Sequence, residues 1–234
     1  MKILVTGSSK GIGKAIIDYF LGQNNHYVIG ISRHNNITHE NFIDFKCDLA
    51  NIKQVQNISK DLVSEHKDVD IFILNAGFGV FTELEQFSDQ QILDLFNVNV
   101  INQIILFKKL LPQFRKRDKA RLIIIGSEAG KKGAKKSSIY SACKFALNGF
   151  AQSMRAELGS DAVPVTIINP GMVNSNFHDN CNFRAGDDFY NKIEVKNIVS
   201  IIDYIISCDN NMVFDEINVS QMKKVINFLN KNAG

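Results

Sequence analysis

What most restricts the fold of this chain is a glycine turn set between an apolar run and a helical pattern. Lys2-Ile3-Leu4-Val5-Thr6 is apolar and of strand length. Gly7-Ser8-Ser9-Lys10-Gly11-Ile12-Gly13 follows at once, and Lys14-Ala15-Ile16-Ile17-Asp18-Tyr19-Phe20-Leu21 then places apolar residues at helical spacing. Glycines let the backbone bend tightly and approach a pyrophosphate, and the free N–H groups at a helix start favour its negative charge. The alternation continues along the chain. Strands are predicted near residues 2–6, 27–31, 42–46, 70–74, 121–126, 163–169 and 212–219. Helices are predicted near 12–23, 51–66, 89–118, 138–159 and 194–207, with a short amphipathic one over 221–232 that puts Val225, Phe228 and Leu229 on one side. Such alternation implies an α/β architecture, a parallel sheet covered on both faces. At 234 residues the chain fits one domain, 1–234, with no visible linker.

Tyr140 and Lys144 lie four residues apart in Ser138-Ile139-Tyr140-Ser141-Ala142-Cys143-Lys144. On a helix they share a face, about one turn apart. An ammonium beside a phenol stabilises the phenolate, so the tyrosine pKa is expected to fall from ~10 toward the working pH, making Tyr140 a proton donor and acceptor.

Taken with the Gly-x-x-x-Gly-x-Gly spacing, Tyr140-x-x-x-Lys144 resembles the short-chain dehydrogenase/reductase family in its small, single-domain form. The resemblance runs along nearly the whole chain. Asn75-Ala76-Gly77 follows the apolar run Ile71-Phe72-Ile73-Leu74, Asn99 lies in Asn97-Val98-Asn99-Val100, and Ser127 lies thirteen residues before Tyr140. Asn169-Pro170-Gly171-Met172-Val173 matches the turn that the family sets beside the nicotinamide. The implied fold is a Rossmann-type doubly wound parallel sheet of about seven strands, in the order 3-2-1-4-5-6-7, with the long helix bending near Asn99. The implied catalytic residues are Asn99, Ser127, Tyr140 and Lys144. Tyr140 exchanges the proton, and Lys144 lowers its pKa and bonds the nicotinamide ribose. Ser127 orients the substrate oxygen and stabilises its developing charge. Asn99 holds a water that links Lys144 to solvent.

The implied cofactor site takes in Gly7, Ser9, Lys10, Gly11, Ile12 and Gly13 of the turn. It continues through Ser32, Arg33, Asp48, Leu49, Asn75, Ala76 and Gly77 to Tyr140, Lys144, Pro170, Gly171, Val173 and Ser175. Arg33 follows the second strand about twenty residues after the last motif glycine, where an acid would bind the NAD ribose and an arginine accommodates the 2′-phosphate of NADP. Ser32 stands at the acid's place, and Lys10 resembles the second basic position of NADP-preferring members, so NADP(H) is the expected cofactor. Asp48 resembles the adenine-contacting Asp. Two departures from the family pattern are Gly126, where relatives often have a second serine, and Ser175, where threonine is usual.

A net charge of +3 gives no support to a nucleic-acid role, and no run approaches ~20 apolar residues. The first strand at the N-terminus leaves no room for a signal peptide, so a cytoplasmic location is expected. Cys47, Cys143, Cys181 and Cys208 have no metal-ligand spacing and read as reduced thiols, with Cys143 facing away from the site. No metal is expected. None of His26, His34, His39, His66 or His178 lies in a hydrolase motif.

The substrate segment, about 174–192, is short and polar, which predicts an open site. Phe78, Phe81, Phe177 and Phe183 are candidate apolar walls. Lys131, Lys132, Lys135 and Lys136 lie between Ser127 and Tyr140. They read either as a solvated loop or as a rim that steers an anionic substrate. Three functions are compatible with these residues: an NADPH-dependent carbonyl reductase acting on a carbonyl or alcohol substrate, a 3-oxoacyl thioester reductase, and a non-catalytic NADP(H)-binding regulator. The resemblance also implies a homodimer or homotetramer. It assigns no role to the tail, about 221–234.

Overall fold

In a computed structural model, which describes residues 1–179, 181–209 and 211–228, the N-terminal apolar run forms β1 (Lys2–Thr6) and the glycine turn opens α1 (Gly11–Gly22). The chain continues through β2 (Tyr27–Ser32), β3 (Phe42–Lys46), α2 (Ile52–Glu65) and β4 (Ile71–Leu74). Next come α3 (Asp89–Phe96), α4 (Asn102–Phe114), β5 (Arg121–Ile125) and α5 (Ser138–Leu158). The last third holds β6 (Val165–Pro170), β7 (Val173–Asn174), β8 (Phe183–Ala185), β9 (Ile193–Glu194), α6 (Val195–Ser207), β10 (Glu216–Val219) and β11 (Ile226–Phe228). Seven strands form one parallel sheet in the order β10-β6-β5-β4-β1-β2-β3. This is the Rossmann-type doubly wound sheet that the alternation and the resemblance led one to expect.

Strand periodicity divides the core. Leu4 of β1 points into a cluster with Val55 and Leu62 of α2, Leu106 and Phe107 of α4, and Leu147 and Ala151 of α5. Its neighbours Ile3 and Val5 point to the other face, against Ile16, Ile17 and Phe20 of α1 and Ile198 and Ile202 of α6. Each of these side chains is almost completely buried, and burying one contributes about 1.5–3 kcal/mol. The central strands need no polar face, because helices cover both sides.

The long helix predicted over 89–118 is divided. α3 starts in a capping box, in which the Ser88 hydroxyl accepts from the Gln91 N–H and the Gln91 side chain accepts from the Ser88 N–H. A single π-helical turn, Asn97–Ile101, then leads into α4. That π-helical turn contains Asn99, where the long helix was expected to bend.

The tail departs from expectation. Residues 226–228 form a strand, not part of a helix, and pair antiparallel with β8: Phe228 opposite Phe183, Asn227 opposite Arg184, Ile226 opposite Ala185. The apolar residues of 221–232 suit either period, and an available partner edge at β8 decided between them. Residues 221–225 form no helix either, and Leu229 to Asn232 lie outside the described residues. Among the described residues, no helix is long and apolar enough to cross a membrane.

Candidate active site

The C-terminal ends of β1, β4, β5 and β6 converge on one crevice, the usual ligand position in an open parallel sheet. At its floor, Thr6 ends β1 with a fully buried hydroxyl that accepts from the N–H groups of Asn75 (2.9 Å) and Ala76 (3.0 Å) and donates to Gln103 Oε1 (2.7 Å). Gln103 Nε2 in turn donates to the carbonyls of Ala76 (2.7 Å) and Asn99 (2.9 Å). Asn75 Nδ2 donates to the carbonyls of Thr6 (2.8 Å) and Gly7 (3.2 Å). Three segments far apart in sequence are thus locked together by satisfied buried polar groups.

The glycine turn is shaped by necessity. Gly7 has φ +72° and lies against Ala76, whose Cα would be 2.8 Å from an added Cβ. At Gly13 an added Cβ would lie 2.1 Å from the Gly7 carbonyl oxygen. The first turn of α1 carries no acid, and Lys10 at its N-cap makes no side-chain cap. Such a backbone cradle, open to α1's first N–H groups, suits a pyrophosphate. Ser175 reaches the same turn, its Cβ 3.6 Å from where a Cβ on Gly11 would stand. Lys10 and Arg33 are exposed, and Ser32 is buried with its hydroxyl donating to the His34 carbonyl (3.1 Å). Asn35, not singled out from sequence, ties this region to the turn through Ser8 Oγ (3.3 Å). Asp48 Oδ1 accepts from the Ala50 N–H (3.0 Å), and the Leu49 carbonyl accepts from Asn102 (2.7 Å).

Deeper in the crevice, α5 presents Tyr140 and Lys144, both buried. Lys144 Nζ lies 5.7 Å from the Tyr140 ring centroid and donates to the Ile125 carbonyl (3.0 Å). Asn99 Nδ2 donates to the carbonyls of Leu95 (2.9 Å) and Phe78 (3.0 Å), while its buried Oδ1 has no partner among the described residues. A Cβ on Gly77 would lie 2.6 Å from that oxygen and 3.7 Å from Lys144 Nζ, so both polar atoms face one spot.

Electrostatics here differ from expectation. Burial pushes the Tyr140 phenol above the usual tyrosine value, and its hydrogen bond with Ser127 opposes this only in part. Burial also pushes Lys144 down to about 8. The expected fall in the tyrosine pKa is therefore absent from this arrangement. Both groups sit out of water, where their charged forms are disfavoured. Cys143 sits in the core, its thiol pushed up to about 11 by burial.

Ser127 follows β5, and its hydroxyl also accepts from the Ala129 N–H (3.1 Å). Asn169 Oδ1, which sequence reasoning quoted without a role, accepts from the Ser127 N–H (3.2 Å). Asn169 Nδ2 reaches Asn218 Oδ1 (3.2 Å). Gly126 is explained by the same side chain, since an added Cβ there would lie 2.1 Å from Asn169 Oδ1. Asn148 donates to the carbonyls of Lys144 (3.0 Å) and Gly130 (3.2 Å), bracing α5 on the Ser127 turn. Beyond β6, Pro170 leads to Gly171 and the buried Val173, and the Met172 N–H donates to buried Gln221 Oε1 (3.3 Å).

The substrate segment is not the open site expected. Tyr140 is only 6% exposed, with the Phe81 and Phe177 rings packed against it. Phe177 and Phe183 are held over the crevice by short turns and by β8. Of the lysine cluster, Lys131 pairs with Glu216 (2.9 Å) and Lys136 approaches Glu83 (3.9 Å). Lys132 and Lys135 are exposed and make no ion pair among the described residues.

A family model described as short chain dehydrogenase matches residues 1–184. A 3-ketodihydrosphingosine reductase of Bacteroides thetaiotaomicron is 31% identical over 77% of this chain and 66% of its own length. An uncharacterized oxidoreductase of Schizosaccharomyces pombe is 34% identical over 72% of this chain and 59% of its own length. The chain thus spans about two thirds or less of these two relatives. A 3-oxoacyl-acyl-carrier-protein reductase of Buchnera aphidicola is 26% identical over 92% of this chain and 93% of its own length. Among solved structures, 4-hydroxyisoleucine dehydrogenase complexed with NADH and succinate is 25% identical, covers 94% of this chain and 97% of its own, and superposes with a TM-score of 0.82. Sheet order, glycine cradle and the matched family model lead to one statement: the chain belongs to the short-chain dehydrogenase/reductase family.

Proposed function

We propose that this protein is an NADP(H)-dependent oxidoreductase that reduces a carbonyl substrate, with Tyr140 as the proton donor. The observation that carries this reading is the convergence of Tyr140, Lys144, Ser127 and Asn99 in one buried crevice beside the glycine cradle. The cradle of Gly7, Ser9, Lys10, Gly11, Ile12 and Gly13 receives the pyrophosphate, and Lys10 and Arg33 take the 2′-phosphate. Asp48 and Leu49 flank the adenine, Asn75, Ala76 and Gly77 border the dinucleotide, and Pro170, Gly171, Val173 and Ser175 border the nicotinamide. When bound, the cofactor supplies the hydride.

The protein's own groups handle the proton. Ser127 donates to the substrate oxygen and holds it near the phenol. Tyr140, kept protonated at neutral pH by its burial, gives its proton to that oxygen as negative charge develops. This protonation state favours the reductive direction. Lys144, poised at about 8, steadies the phenolate left behind, and its own proton is exchanged toward the side on which Asn99 Oδ1 faces it.

A second reading, reduction of a 3-oxoacyl thioester, is favoured by the similarity to the Buchnera 3-oxoacyl-acyl-carrier-protein reductase. A homo-oligomer packed through α4 and α5 is supported by exposed Ile101 and Phe145 on that side; sedimentation would count the subunits. The primary test is binding of NADPH and NADH, followed by NADPH oxidation against aldehydes, diketones, quinones and 3-oxoacyl thioesters. Turnover abolished by Tyr140→Phe with NADPH affinity retained supports the reading. Tight NADPH binding with no turnover of any class points to a regulatory role instead.

A further inference from the structure

Four aromatic side chains from three separate segments gather over Tyr140. Phe81 lies 5.3 Å from the Tyr140 ring and Phe177 lies 5.6 Å from it, both tilted. Phe183 meets Phe81 edge-on at 4.9 Å. His178 sits between them, 5.1 Å from Phe177 and 5.6 Å from Phe183. Burial lowers the His178 pKa, so this ring is neutral at physiological pH.

The outer part of this box is anchored by the tail. Phe183 opens β8, whose three residues all pair with β11, and Phe228 lies 6.5 Å from the Phe183 ring. The Gly186 N–H donates to the Val225 carbonyl (2.9 Å), and the Lys223 N–H donates to the Tyr190 carbonyl (2.9 Å). Lys223 Nζ reaches Asp188 (3.2 Å). On the other side, Lys224 Nζ binds Glu128 Oε2 (2.6 Å), and Glu128 is the neighbour of Ser127. The tail therefore bridges the substrate segment and the turn that carries the serine.

Several basic side chains around the box are paired, whereas Lys132 and Lys135 of the same rim are exposed and make no ion pair among the described residues. Lys224 is paired with Glu128, Lys131 with Glu216, and Arg184 with Asp187 (3.6 Å). A carboxylate or phosphate on the substrate would have to compete with these acids.

We propose that residues 221–228 are part of the substrate site, holding Phe183 as one wall of an aromatic box that selects compact, flat conjugated carbonyl compounds. The proposal rests on the reading of Tyr140 as the proton donor. A flat π-system entering between Tyr140 and its neighbours exchanges ring–ring contacts for ring–substrate contacts of the same kind. An alkyl chain of equal size keeps the area but forfeits the quadrupolar part, a loss of roughly 3- to 10-fold in binding.

The test compares benzaldehyde with cyclohexanecarbaldehyde, which has similar bulk and no π-face, and with an acetoacetyl thioester, all under NADPH. The wild-type protein is expected to turn over benzaldehyde with a higher kcat/KM than the thioester. Phe81→Leu and Phe183→Leu, which keep apolar volume, should each lower the benzaldehyde-to-cyclohexanecarbaldehyde ratio of kcat/KM by about 3- to 10-fold, mainly through KM. Lys224→Glu should lower the same ratio, and adding Glu128→Lys should restore it, which a simple folding defect would not do. An unchanged ratio in both phenylalanine variants, or a better thioester than benzaldehyde, overturns the proposal. If Tyr140→Phe still abolishes turnover in that case, the proton-donor reading stands and only the aromatic box falls. Failure of the wild-type protein to reduce any of the three, or full activity of Tyr140→Phe, removes both.

Discussion

Lys144 is held against its electrostatic preference, and removing its charge should stabilise the protein in a pH-dependent way. The side chain is 3% exposed, and burial lowers its pKa from 10.5 to about 8. Below pH 8 both the folded and unfolded chains bind the proton, so the full penalty for burying the charge is present. Between pH 8 and 10.5 the unfolded chain still binds a proton that the folded one has released, so stability rises with pH and the penalty vanishes. The depression corresponds to about 3 kcal/mol. Lys144→Met keeps the length and removes the charge, but leaves the Ile125 carbonyl without its donor, a loss of about 1 kcal/mol. The variant is therefore expected to be more stable than the wild type by about 2 kcal/mol at pH 6–7, and to match it near pH 10, where about 1 kcal/mol of the penalty remains. Urea unfolding of both proteins at intervals across this range would show it, with the gap between the two midpoints closing from pH 8 to pH 10. A difference that stays flat from pH 6 to pH 10 would refute the reasoning, because it would mean that Lys144 titrates alike in both states. Turnover should be lost at every pH.

Three further outcomes follow from named contacts. Thr6→Val leaves two backbone N–H groups and Gln103 Oε1 without their partner and should destabilise by about 2–4 kcal/mol, read as a fall in the urea midpoint; a change under about 0.5 kcal/mol would show that the hydroxyl is dispensable. Gly126→Ala should lower stability by about 1–3 kcal/mol, although a serine there suits many relatives, because Asn169 must yield and release the Ser127 N–H. A thermal melt matching the wild type would contradict that account. Arg33→Ala should weaken NADPH binding at least about tenfold while NADH binding changes little, and an equal loss for both would mean that the arginine does not meet a 2′-phosphate.

The sheet was legible because β1, β2, β4, β5 and β6 are mostly apolar runs, and because helical spacing follows β1, β3, β4 and β5. The glycine turn was legible for a different reason. Only glycine tolerates the positive φ at Gly7 and the contact of Gly13 with the Gly7 carbonyl, so conformation is written directly in residue type. Tyr140, Lys144, Ser127 and Asn99 were found by spacing, and the structure brings all four to one crevice. Thr6, Gln103 and Asn148 carried no such mark. A buried hydroxyl or amide is explained only by the partners it finds, and those lie up to 97 residues away.

Local pattern thus determined the order of strands and helices, the backbone cradle and the residues able to do chemistry. Tertiary structure alone decided what those residues experience. The same Tyr140-x-x-x-Lys144 spacing predicts a lowered phenol pKa in water and shows a raised one here, because burial penalises the phenolate. The tail shows the same division. Its apolar residues fit a helix or a strand, and at 226–228 the edge of β8 supplies the cross-strand hydrogen bonds that a strand cannot make alone.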